Sequence, residues 1–536
     1  EVKPLSENLD DLREGGIIVY DEGLLDVEDV PNFEERVEEN NWHVYPLDLR
    51  ALAKEHGREV MRNTAGVGAT AALVDMDLEH IEDLMSDAMG GEILEQNLEV
   101  LHDAYEQVNS MDQPHDLTVP TGEHDEDQVL VSGSHGIAYA AIDAGCRFIA
   151  GYPMTPWTDA YTIMTNLLPD MGGISEQVED ELAAAAMAVG ASHAGAKAMS
   201  GSSGGGFSLM SEPLGLAEMT ETPLVLLEAM RAGPSTGMPT KPEQADLEHI
   251  LYTSQGDSHR VAFGPSDPKE CYEQTRTAFE IAWEYQIPAI VVYDQKLSGE
   301  YRNVDASFFD REPNASLGKT LTEDEIEEAA HDATGKFKRY QHDAEDGVSP
   351  RTVPGQKGGR YLASGNEHWP TGHIAEDPDN RTAQVERRLE KLDAIHEDLD
   401  DRDQQVVYGD EDADFGLIAW GSQQGTVEEA VARLNDNGNS VKALGVSDLS
   451  PFPVEEVRAF VDSVDEAIVV EMSSTKQFRG LIQKEVGGVA TKLSSLLKYN
   501  GNPFEPAEIV EAVEIEQNGG GEQPTAQTTL EPAAGD

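Results

Sequence analysis

The sequence predicts a multidomain α/β protein built on parallel sheets. Length is the first ground, because 536 residues exceed what one core usually serves and point to about three domains. Alternation is the second: strand-like and helix-like patterns take turns over most of the chain. The third is strand composition. Runs such as PLVLLEAM at 223–230 and IPAIVVYD at 287–294 are apolar at nearly every position, as expected of strands covered on both faces.

In residues 1–110, IIVY at 17–20 and WHVYPL at 42–47 read as strands, and 48–56, 64–73, 77–87 and 91–107 read as helices by their apolar spacing. The chain opens on Glu1 and reaches its first strand almost at once, so this domain is expected to be partial. Residues 111–127 hold two prolines and no period and read as a linker. Over 128–300, QVLV leads through a Ser-Gly turn into a helix, and RFIAGYPMTP is a strand ending in a proline turn. Helices near 180–194, 208–219 and 267–284 then alternate with a Gly/Ser loop at 200–206 and the two apolar strands. The helix after 180 is so small and apolar that it is expected to lie buried between layers. Residues 301–411 form an irregular connection with one charged helix, 381–399, whose Arg387, Arg388 and Lys391 interrupt an acidic stretch. Alternation resumes over 412–511, with strands at 414–420, 441–446 and 466–471 and helices at 426–436, 454–463 and 476–488. The polar, glycine-rich segment 512–536 is expected to be disordered.

Composition narrows function by exclusion. With 103 Asp and Glu against 37 Lys and Arg, the net charge of −66 argues against a basic nucleic-acid groove and against polybasic docking on membranes. The carboxylates are spread through amphipathic segments, so a single acidic patch explains them poorly. Molar salt shortens the screening length to about 3 Å, and the expectation is a protein of a salt-rich cytoplasm. Two cysteines, Cys146 and Cys271, supply neither a disulfide framework nor a four-thiolate iron-sulfur cluster. No apolar run is long enough for a membrane span, and residues 1–30 lack a signal-peptide pattern.

The densest chemistry lies between 151 and 244. Thr155, held between Pro153 and Pro156, follows an apolar strand, where ligand-facing loops of a parallel sheet gather. Its hydroxyl either meets a ligand or decorates a rigid turn. Glu179, Asp180 and Glu181 precede the apolar helix, and a carboxylate there either caps the helix or is held in a cleft to exchange a proton. The run Gly201–Gly206, which includes Ser203 and Gly204, offers backbone donors for an anionic or flat ligand but lacks the spacing of a nucleotide phosphate loop. Arg231 follows a strand and opens a loop rich in hydroxyls, with Ser235, Thr236 and Thr240. Its planar fork suits a substrate carboxylate or a structural salt bridge. His368 and His373 are five apart on a loop, not a familiar metal spacing, and no metal site is assigned. Both cysteines read as small core hydrophobes. No Gly-x-Ser-x-Gly elbow is present to support a hydrolase.

Taken in order, GYPMTP at 151–156, VEDELAAAAMAVGASHAGAKAMSGSSGGGFSLM at 178–210, RAGPSTGMPTKPEQADL at 231–247, GNEHWPTGH at 365–373 and LSPFPVEEV at 449–457 resemble the alpha subunits of the 2-oxoacid:ferredoxin oxidoreductases, in particular the 2-oxoglutarate branch of salt-loving archaea. IIVYDEG at 17–23 and VMRNTAGVGATAAL at 60–73 resemble the end of that family's gamma domain, fused ahead of alpha, although its usual glycine-rich opening is absent.

The resemblance implies a domain at 128–300 that faces the pyrimidine of thiamine diphosphate and a transketolase C-terminal-like domain at 412–511. It implies that Glu181 exchanges a proton with the N1′ nitrogen, with Ser203 and Gly204 beside the cofactor. Thr155 and Arg231 are implied at the substrate end, and Pro156, Ser235, Thr236 and Thr240 as substrate or supporting residues. The implied reaction is coenzyme A-dependent oxidative decarboxylation of a 2-oxoacid, with electrons passed to ferredoxin. Mg2+, the diphosphate site and a [4Fe-4S] cluster are implied for a beta subunit in an alpha2beta2 assembly. Two-cysteine economy in this chain agrees with that division. A pyruvate-specific member, a transketolase-like enzyme without electron transfer and a non-catalytic scaffold are the alternatives.

Overall fold

The computed structural model describes residues 5–533 apart from 7, 116, 120–126, 401, 403, 404, 519–522, 525 and 526. The chain divides into two compact units, Glu1–Asp125 and Glu126–Asp536.

In the first unit, strands Ile17–Asp21 and His43–Leu47 run parallel, with Ile17 opposite His43. Helix Arg62–Leu73 is rich in Ala and Gly because its small residues Ala65, Ala69 and Ala72 allow close approach to other elements. A Cβ on its Gly68 would strike the backbone of Leu101 in helix Glu92–Asn109. Helix Phe33–Glu39 was not legible in its charged sequence; Phe33 anchors it in a cluster with Ile18, Val30 and Trp42.

The second unit holds two large sheets. One has seven strands in the order 448–450, 261–263, 288–294, 224–230, 198–202, 148–151, 174–177, parallel throughout except for the first. The other has six, in the order 406–409, 441–446, 415–420, 466–471, 493–497, 529–531, with a parallel centre and antiparallel strands at both edges. Strand Gln128–Val131 joins neither and pairs antiparallel with Arg302–Asp305. One hydrophobic cluster runs through both large sheets, from Leu226 and Ile290 to Trp420, Leu444 and Val469.

Two expectations need correction. The segment from 512 is not without order: helix Pro506–Gln517 continues past that point, and Thr529–Glu531 adds an edge strand on Leu493–Leu497. Leu530 is buried there and Lys476 pairs with Glu531, which gives the polar segment an anchor that its composition hides. The apolar helix, Glu181–His193, is not buried on every side. Ala184, Ala185 and Ala188 face the core, while Leu182, Ala186 and Met187 are exposed.

Helix Pro378–Asp400 explains its own basic residues. Arg387 and Lys391 are buried and both bind the carboxylate of Glu221, with Lys391 Nζ 2.6 Å from Oε2. Arg339 donates to the Glu221 backbone carbonyl at 2.9 Å. Burial alone would raise the Glu221 pKa, but Arg387 and Lys391 hold it well below the usual range. Arg388 and Arg381 similarly grip Glu367, whose pKa falls to about 2 although burial opposes that shift.

Candidate active site

Strands 224–230, 198–202, 148–151 and 174–177 are consecutive neighbours in the seven-stranded sheet and parallel, so their carboxyl ends open on one edge. The candidate residues sit in the loops beyond that edge.

At the start of helix Glu181–His193, Asp180 and not Glu181 is the cap: its Oδ1 accepts the Ala183 N–H at 2.7 Å. Glu181 is thereby free of capping duty and turns inward. It is 3% exposed, and its Oε1 accepts the Ser202 hydroxyl at 2.9 Å. Ser202 also lies 3.6 Å from the Met154 sulfur, which ties this group to the 151–156 loop. A Cβ on Gly206 would collide with both Ser202 Oγ and the Glu181 carboxylate, so only glycine lets the turn close over them. The far end of the helix is held by Arg351, whose Nη2 donates to the carbonyls of Ser192 and His193 at 2.7 and 3.2 Å.

Arg231 is buried directly after its strand and donates from Nη1 to the Thr155 carbonyl at 2.7 Å. None of the ion pairs among the described residues involves Arg231, so the salt-bridge reading is not realised. Thr155 is exposed beside it. Pro156 is buried and its carbonyl accepts from Ser298 at 3.3 Å, which makes it an anchor of the loop. Ser235, Thr236 and Thr240 are exposed on a loop that folds back through the Ala232–Met238 bridge. Gly237, with φ +52°, makes that turn possible, since a Cβ there would meet the Ala232 carbonyl. The Ser235 carbonyl reaches the neighbourhood of Gly205, so the two loops meet.

The Gly/Ser run plays a different part from the expected one. Gly204 does not offer its N–H outward; it donates to Glu228 Oε1 at 2.7 Å, because a buried carboxyl stands behind the turn. Ser203 is fully buried and its hydroxyl has no hydrogen-bond partner among the described residues. Glu228 and Asp246 are the members of this site that motif reading missed. The available signal was a lone carboxylate inside the apolar strand LVLLEAM, since Glu is almost never fully buried unless paired.

Other singled-out residues fall elsewhere. His368 is buried against Tyr340, with ring centroids 3.9 Å apart, and its Nδ1 is 2.9 Å from the Asn366 carbonyl. His373 contacts Lys336. Cys146 and Cys271 are buried free thiols, and burial raises the Cys146 pKa to about 12. A buried carboxylate next to a hydroxyl, an orphaned Ser203 hydroxyl and a turn cleared of Cβ atoms fit the polar edge of a flat heterocycle such as the aminopyrimidine of thiamine diphosphate.

Known proteins place the chain in a family. The family described as pyruvate flavodoxin/ferredoxin oxidoreductase, thiamine diphosphate-binding, matches residues 139–387. Pyruvate ferredoxin/flavodoxin oxidoreductase matches 1–107, and pyruvate:ferredoxin oxidoreductase core domain II matches 413–509. A 2-oxoacid:ferredoxin oxidoreductase subunit alpha of Aeropyrum pernix is 31% identical over 529 residues, covering 95% of this chain and 79% of its own. The 2-oxoglutarate synthase subunit KorA of Methanothermobacter thermautotrophicus is 33% identical over 389 residues, 72% of this chain and 98% of its own. The solved 2-oxoglutarate:ferredoxin oxidoreductase of Magnetococcus marinus, with 2-oxoglutarate, coenzyme A and succinyl-CoA bound, superposes with a TM-score of 0.84 at 31% identity, covering 96% of this chain and 86% of that one. Fold and site thus define an α/β subunit of thiamine diphosphate-binding architecture. More particularly, the chain belongs to the 2-oxoacid:ferredoxin oxidoreductase family and aligns with its alpha subunits. Among the described residues no helix is long and apolar enough to cross a membrane.

Proposed function

We propose that this chain is the alpha subunit of a coenzyme A-dependent 2-oxoglutarate:ferredoxin oxidoreductase. The observation that carries the reading is Glu181: buried, bonded to Ser202, and relieved of helix capping by Asp180. Thiamine diphosphate, when bound, supplies the nucleophilic carbon and the electron sink for loss of carbon dioxide. Glu181 holds and moves a proton at its carboxylate, in reach of the Ser202 hydroxyl. Ser203 adds a buried hydroxyl to the next position, and Gly206 keeps the space against Glu181 free of a side chain. Arg231, unpaired and fixed by the Thr155 carbonyl, binds a substrate carboxylate through its fork, with Thr155, Ser235, Thr236 and Thr240 around the entrance.

The exposed apolar face of helix Glu181–His193, with Leu182 and Met187, begins at the proposed catalytic residue and supports a site completed by another subunit. We assign Mg2+, the diphosphate site and the [4Fe-4S] cluster to a beta subunit in an alpha2beta2 assembly that passes electrons to ferredoxin. Residues 1–107 match a family segment separate from the one matched by 139–387, which supports a fused gamma-like domain. The −66 charge supports function in a salt-rich cytoplasm.

Substituting Glu181→Gln in the assembled complex is expected to lower 2-oxoacid-dependent electron transfer by about 10²–10⁴-fold. Near-normal turnover would rule the proton role out. Assayed against pyruvate, 2-oxoglutarate and 2-oxoisovalerate, the complex is expected to give its highest kcat/KM with 2-oxoglutarate. The supports for that choice are the 2-oxoglutarate-linked relatives and an unpaired arginine suited to a second carboxylate.

A further inference from the structure

Glu228 lies inside strand Leu224–Met230 and is fully buried. Its Oε1 accepts the Gly204 N–H, while its equally buried Oε2 receives no hydrogen bond from an N–H or O–H donor among the described residues. A second acid, Asp246, stands at the same glycine, and its negative charge bears on Glu228. Two ionised carboxylates have no donor between them, so a proton held by one is what lets the two share this turn. Asp246 Oδ2 lies beneath the same turn, 3.4 Å from where a Cβ on Gly204 would project. Arg231, which senses both acids, stands just past the end of the Glu228 strand with no ion pair among the described residues.

We propose that Glu228 and Asp246 form a proton-sharing carboxyl pair, which locks the Gly204–Gly206 turn over Glu181 and carries one negative charge in place of two, leaving Arg231 free for an anionic substrate. The proposal rests on the reading of Arg231 as the substrate's carboxylate partner. Glu228 acts through Gly204 and Arg231, so it is a positioning residue.

The groups facing the pair are Arg231, Tyr293 from strand Pro288–Asp294, His249 from helix Leu247–Tyr252 and Glu243 from the preceding loop. Burial, reinforced by Asp246, pushes Glu228 well above the ordinary carboxylate range, and burial also raises Asp246. The pair therefore holds its proton to higher pH than an isolated carboxyl would. At alkaline pH that proton leaves, and a second negative charge then competes with the substrate for Arg231.

The test uses the assembled complex, wild type and Glu228→Gln. Infrared difference spectroscopy at neutral pH is expected to show the carbonyl band of a protonated, buried carboxylic acid in the wild type and its loss in E228Q. The wild-type KM for 2-oxoglutarate is expected to rise about tenfold for a unit of pH above the titration, while E228Q, permanently neutral and of the same shape, gives a flat KM over that range. Absence of the band in the wild type, or the same alkaline rise in E228Q, overturns the proposal. Should the complex turn over no 2-oxoacid, the proposed activity fails by itself. In that case the band and the pH dependence of 2-oxoglutarate binding by calorimetry, compared between wild type and E228Q, decide the carboxyl pair separately.

Discussion

The Glu181 carboxylate depends on neighbours that do no chemistry. Asp180 takes the capping bond, Ser202 orients one oxygen, and Gly206 leaves room for both. Adding one methyl at that turn, Gly206→Ala, forces Ser202 and Glu181 apart, and overpacking of this kind costs about 1–3 kcal/mol. Because a misplacement of about 1 Å can cost about a hundredfold in rate, G206A is expected to lose kcat/KM far more than melting temperature. A variant that melts early yet keeps its kcat/KM would show that the turn supports the fold and not the carboxylate. At this scale the sequence was informative where chemistry coincides with an unusual word. Glu181 stood out because a carboxylate run abuts an alanine-rich helix, and Arg231 because cations are scarce. Sequence alone left cap and proton carrier undivided between Asp180 and Glu181, since which of two adjacent carboxylates turns inward is decided by packing. It also could not pair Glu228 with Asp246, eighteen residues apart and joined only when the 231–246 loop folds back.

Among elements, helix Pro378–Asp400 is fastened to the body by charge at Arg387, Arg388 and Lys391 and by apolar packing of Leu392, Ile395 and Leu399 further along. Removing one partner of a buried ion pair leaves the other uncompensated, at a cost of about 3–5 kcal/mol. Arg387→Met is accordingly expected to destabilise the protein by that amount in denaturant unfolding, and Glu221→Gln in the same background to restore part of it. Because Glu221 is held well below its ordinary pKa, its contribution is present above the unfolded carboxylate range and is lost as pH falls below that range toward the depressed folded value. Asp448 behaves oppositely. It is buried at the strand that joins the seven-stranded sheet, and burial raises its pKa to about 7, with Glu270 and Glu456 adding to the shift. Stability from that group is complete below the unfolded value near 4 and declines as pH rises to about 7. Asp448→Asn is expected to raise the melting temperature above pH 7 and to leave it unchanged near pH 4; a gain equal at both pH values would contradict this account. Helix periodicity exposed the charges at 387, 388 and 391 but not their inward direction. Strand Leu493–Leu497 was missed because Ser494 and Ser495, both fully buried, break its apolar run, and Ile174–Gln177 because it is a largely exposed edge.

For the molecule as a whole, 103 acidic residues against 37 basic ones leave a surface that repels itself when counterions are dilute. Melting temperature is expected to rise as KCl is increased from tens of millimolar to molar concentrations, as the Debye length shrinks from about 30 Å toward about 3 Å. A salt-independent transition would remove electrostatic self-repulsion as a factor. The parallel α/β class was readable from all-apolar strands, whereas the antiparallel additions at sheet edges were not, because these strands are only three or four residues long. One of those additions has a practical consequence. Asp448–Ser450 belongs in chain order to the six-stranded sheet but hydrogen-bonds to Val261–Phe263 of the seven-stranded one. Residues 413–509, which look like an excisable module, therefore cannot be taken away cleanly. What remained would present the fully buried Val261, Ala262 and Phe263 as an open, apolar β-edge, a template for aggregation in the half that carries Glu181.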